Sequence, residues 1–147
     1  MTDAPQNLET PHEIKPKGRI GPTIVRVLLG LMFLIFGLNG FLNFMPAPKE
    51  MPPEIVTVTG GLVKGGYMAV VAGTEVIVAV LLLTNLFVPL ALALLAPIVV
   101  GILTFHVAVA PQTIAPGIVV LLMELYLAWS YRGAFRHMLR AKTAPGG

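Results

Sequence analysis

Between Val27 and Met45 the sequence carries no charged residue. An uninterrupted apolar run of about 20 residues, rising about 1.5 Å per residue as a helix, crosses the roughly 30 Å hydrocarbon core of a bilayer. In that solvent every backbone N–H and C=O must be satisfied internally, which leaves helices and closed barrels as spanning forms. Three more apolar runs follow the first, which covers about 22–45. They lie at about 67–83, 87–110 and 113–129. The chain therefore reads as all-α: a polytopic membrane protein built as a four-transmembrane-helix bundle. Its composition requires the same solvent. Hydrophobic residues make up 56% and charged residues 12%, against about 25% charged in a soluble domain. A water-soluble chain of about 150 residues buries only about 70% of its surface, too little to hide this much apolar material.

Four spans with their loops use most of the 147 residues, so one domain is expected. Residues 1–19 are polar, with Pro5, Pro11 and Pro16, and read as a flexible tail rather than a signal peptide. Residues 20–131 form the transmembrane domain. Residues 132–147 form a basic tail that ends flexibly. The stretch from Ala47 to Gly66 is too polar and too glycine-rich to span, and reads as a segment at the membrane interface, with a short amphipathic helix as one form it can take. Orientation follows from the cations. Lys15, Lys17, Arg19 and Arg26 flank the first span, and Arg132, Arg136, Arg140 and Lys142 follow the last. The first loop holds Lys49 and Lys64, and the other two loops hold no cation. An even number of spans puts both basic ends on one side, and the positive-inside rule makes that side cytoplasmic. The cell (inner) membrane is the expected location. The net charge of +3 belongs to these flanks, so no nucleic-acid partner is expected.

Cysteine is absent, which removes disulfides, thiolate metal sites and thiol nucleophiles. No metal site and no catalytic set is read from the remaining residues. Ser130, the only serine, has no base beside it. What stands out is charge inside the spans, because such residues are costly in hydrocarbon. Arg26 lies about one turn into the first span, Glu75 near the middle of the second, and Glu124 past the middle of the fourth. All three are expected in the cytoplasmic half of one bundle, with Arg26 extending to meet either carboxylate. Two acids facing one guanidinium leave one acid in excess. The cluster reads either as a proton, cation or head-group site, or as an interhelical polar clasp that fixes packing.

A second polar layer is expected toward the outside. Asn39 and Asn43 are four residues apart and share a face, and His106 lies near the outer end of the third span. Together they are expected to line an outward-facing pocket, with a structural hydrogen bond for His106. Gly30, Phe33, Gly37 and Gly40 follow helical spacing on the Arg26 face and predict close helix packing.

The runs RVLLGLMFLIFGLNGFLNFMP, GGYMAVVAGTEVIVAVLLL and LLMELYLAWSYRGAF resemble the DoxX family of small four-helix membrane proteins over about residues 20–140. Arg26 and the spaced glycines match its first-span pattern, and Glu75 matches its second-span glutamate. His106 and Glu124 sit where close relatives carry theirs. Many members have a lysine in a G-x-x-K pattern late in the first span. Here Gly37 is followed by Leu38, Asn39 and Gly40, with Asn39 or Asn43 as the polar substitute. The resemblance implies a non-catalytic membrane subunit or scaffold of a redox or stress-response system. A small proton-coupled transporter and a quinone- or lipid-binding oxidoreductase subunit are the alternatives. A quinone or lipid is the ligand such a bundle would take. A second copy, or a membrane or peripheral protein, is the partner it would meet.

Overall fold

The computed structural model describes residues 20–46 and 51–138. Among the described residues six α-helices follow one another: α1 (Ile20–Leu42), α2 (Pro53–Lys64), α3 (Tyr67–Thr84), α4 (Val88–Ala108), α5 (Ile114–Ser130) and α6 (Arg132–Met138). A single 3₁₀ turn, Pro111–Thr113, leads into α5. Helices α1, α3, α4 and α5 are long and apolar enough to cross a membrane, and the expected spans agree with them to within about three residues. The protein is an all-α, multi-pass membrane bundle. Large apolar side chains such as Leu28, Ile35, Ile77, Val100 and Leu122 point outward and are about half exposed or more, an arrangement that suits lipid and not water.

The four spans run antiparallel in a ring, with α1 against α3, α3 against α4, α4 against α5 and α5 back against α1. One end of the ring therefore carries the start of α1 and the end of α5, and the other end carries α2. The register between α1 and α3 is set by glycines. A Cβ on Gly37 would lie 2.9 Å from the Ala72 carbonyl oxygen and 3.0 Å from the Val76 backbone nitrogen. A Cβ on Gly40 would lie 2.5 Å from that of Ala72. No larger residue fits at this separation, so the packing role expected of these glycines holds. Phe33 and Leu29 complete the interface and are almost fully buried beside Val78 and Leu82.

Helix ends follow local chemistry. Pro53 and Pro89 occupy first turns, where the missing N–H costs little. Asn85 closes α3 in the left-handed region at φ 59°, with its N–H on the Leu82 carbonyl. Hydroxyls that would be orphaned in lipid bond back to the carbonyl four residues earlier, as in Thr74, Thr84, Thr104 and Ser130. Pro97, inside α4, leaves the Ala93 carbonyl without its usual donor.

The segments between and after the spans are helical as well, the first in a form the sequence allowed. The polar stretch after α1 contains a regular helix, α2, with Ile55 buried and Val56, Val58 and Val63 exposed. The basic tail expected from residue 132 begins as helix α6, where the Arg132 guanidinium sits 4.7 Å above the Trp129 ring and donates to the Trp129 carbonyl. The tail 1–19, Lys49, Arg140 and Lys142 lie outside the described residues.

Candidate functional site

The register of α3 and α4 brings one face of each together at the α2 end of the bundle. Tyr67, Val71 and Glu75 recur every four residues on α3, and Ile98, Ile102 and Phe105 recur at helical spacing on α4. Antiparallel pairing sets Glu75 near the level of Ile98, and Tyr67 near the level of His106. Between them lies a cleft of about 350 Å³, with Thr59 and Leu62 of α2 over its end. Gly101 contributes to the space directly. It lines the cleft, and a Cβ there would meet nothing within 4 Å. The eight steps from Tyr67 to Glu75 give the cleft a length of about 12 Å at 1.5 Å per residue. Tyr67 and Met68, at the α2 end, and Gly101, along its side, are exposed, so the cleft is open to the surroundings of the bundle. Glu75 is 9% exposed and forms its floor.

Glu75 and His106 are the two expected site residues that share this cleft. The His106 Nδ1–H donates to the Ile102 carbonyl at 2.6 Å, and the ring meets Phe105 edge-on at 5.7 Å between centroids. That is the hydrogen bond expected of it, and it leaves Nε2 as the ring's remaining polar atom. The Glu75 carboxyl has no hydrogen bond or ion pair among the described residues. Its oxygens are not among the fully enclosed unpartnered atoms; they face a space large enough for a small molecule.

Arg26 is held elsewhere. It is buried, and its Nη1 donates to the Leu82 carbonyl in the last turn of α3, while Nε has no partner among the described residues. Leu82 is seven residues from Glu75, about 10 Å along the helix. The expected contact of Arg26 with Glu75 is thus replaced by a contact with backbone. The physical reason is the end of α3, where carbonyls lack helical donors and carry partial negative charge. Glu124 is also buried and lies six residues from the end of α5, as Arg26 lies six from the start of α1. No ion pair joins these two among the described residues. Arg26 and Glu124 therefore share the end of the bundle that carries the start of α1 and the end of α5. Glu75 stands apart from them, toward the middle.

Asn39 and Asn43 do not line the cleft. The Asn39 carbonyl accepts from the Asn43 N–H at 2.9 Å, and its side-chain oxygen accepts from the Met45 N–H at 2.7 Å. Asn43 takes φ 48°, a conformation asparagine tolerates. Together they finish α1. Tyr67, Gly101 and Phe105 went unremarked in the sequence. The signal for Tyr67 was present as its spacing of eight from Glu75. Gly101 and Phe105 needed the α4 register.

Among the described residues no three His, Cys, Asp or Glu side chains gather as a metal site. Comparison with protein-family models, with curated proteins and with solved structures returns no match.

Proposed function

We propose that this protein is a DoxX-like, non-catalytic subunit of the cell (inner) membrane, with both termini in the cytoplasm, that holds a small lipid-soluble molecule for a redox or stress-response partner. One observation carries the reading: the unpartnered carboxyl of Glu75 at the floor of an apolar cleft between α3 and α4. A cleft of this size, lined by apolar walls with a few polar groups, is the ordinary form of a small-molecule site. A lipid or a quinone is the chemistry the family likeness suggests. The basic flanks supply a surface for a peripheral partner.

A small proton-coupled transporter is the second reading. It is favoured by Glu124, a second buried carboxyl that lies in a different half of the bundle from the cleft. The test is native mass spectrometry of the full chain extracted gently from its own membrane. A retained small molecule, lost on Gly101→Phe, is the expected result. A bare chain that carries no small molecule in repeated preparations, with or without a protein partner, overturns the binding role.

A further inference from the structure

The cleft also specifies the charge of what it binds, an inference that rests on the binding role proposed above. We infer that its ligand is a compact lipophilic cation, an amine or ammonium compound. Its charged end meets Glu75 and its apolar body fills the cleft toward α2. Charge complementarity comes first. None of the residues lining the cleft is Lys or Arg, and Glu75 is the one carboxylic acid among them. An anionic head group would therefore meet the Glu75 carboxyl with no Lys or Arg in the lining to offset it. An ammonium supplies both the charge and the donors that the buried carboxyl lacks.

Polarity along the cleft then excludes an ordinary bilayer lipid. A lipid keeps its head at the interface and its chains toward the midplane. Here an acid lies at the inner end, while the outer end is lined by Met68 and Phe105 together with the polar tips of Thr59, Tyr67 and His106. A ligand that matches must carry its charge inward. Its size is limited as well. A space of about 350 Å³ over about 12 Å admits one ring with a short chain. Tyr67 and Phe105 are among the lining residues, and aromatic rings attract cations.

Three probes with one skeleton separate the possibilities: 4-phenylbutylammonium, 4-phenylbutanol and 4-phenylbutyrate. Each is titrated calorimetrically into the full chain in phosphatidylcholine nanodiscs, against empty nanodiscs. The ammonium should bind at least tenfold more tightly than the alcohol and the carboxylate. Glu75→Gln should remove that preference, Glu75→Asp should keep it, and Gly101→Phe should abolish binding of all three. Equal or tighter binding of the alcohol or the carboxylate overturns the inference. So does a preference that survives Glu75→Gln. If the alcohol then still binds and is lost on Gly101→Phe, the cleft remains a ligand site and only the cationic chemistry falls. If none of the three binds the wild-type protein, the inference falls, and the mass spectrometry above decides the binding role by itself.

Discussion

Helix α3 has two unlike neighbours. Along one side it lies against α1 so closely that a methyl group at Gly37 would come within 3.0 Å of backbone atoms. Along the other it leaves α4 a cleft about 12 Å long, where Gly101 faces open space. Glycine appears on both sides with opposite meaning. On the α1 side its missing side chain lets two backbones meet, and dispersion contacts accumulate there. On the α4 side its missing side chain leaves room that no protein atom fills. The side without slack carries no polar group in its centre, whereas the loose side carries the unpartnered Glu75 carboxyl. Close packing and open space thus fall on different faces of one helix.

Substitutions can break or sharpen this contrast. The largest effect is expected from Gly37→Leu. Backbone atoms of α3 cannot give way as a side chain would, so overpacking should cost about 3 kcal/mol, read as a lower midpoint of unfolding in detergent. If that variant unfolds at the wild-type midpoint, the close approach of α1 and α3 is wrong. Arg26→Leu should cost less, about 1.5 kcal/mol, for the charged hydrogen bond lost at Leu82. It should leave ligand binding unchanged, because the cleft floor is about 10 Å farther along α3. A loss of binding equal to that of Glu75→Gln would instead join Arg26 and Glu75 into one site. The smallest effect, and one of opposite sign, is expected from Gly101→Ala. An alanine there meets nothing and favours helix over glycine, for a gain of about 0.5 kcal/mol. Destabilisation at this position would mean that α4 lies closer to its neighbour than the cleft implies.

Much of this architecture was legible in the sequence, because hydrocarbon imposes a length and an apolar composition on each span. The glycine spacing from Gly30 to Gly40 was readable for the same kind of reason, since one helix face suffices to reveal it. The cleft was not readable, because it depends on the relative register of α3 and α4 and on α2 folding over their end. Arg26 shows a second limit. Its partner is the main-chain carbonyl of Leu82, a group that every residue carries and that no residue letter marks. Asn39 shows a third. Its spacing from Asn43 suggested a shared polar face, while the oxygen is used locally to accept from Met45, a choice made by the left-handed turn at Asn43.

Only Asn85, Leu86 and Phe87 separate α3 from α4. A link that short fixes two helices as an antiparallel hairpin. The hairpin is a natural unit of membrane insertion, able to enter the bilayer as one piece with its own pairing already chosen. The walls on either side of Glu75 both belong to it. The side walls of the cleft are therefore local in chain terms, laid down within a single stretch of nascent polypeptide. The tight α1–α3 seam has a different history, since it joins segments separated by all of α2 and must wait for that helix to emerge.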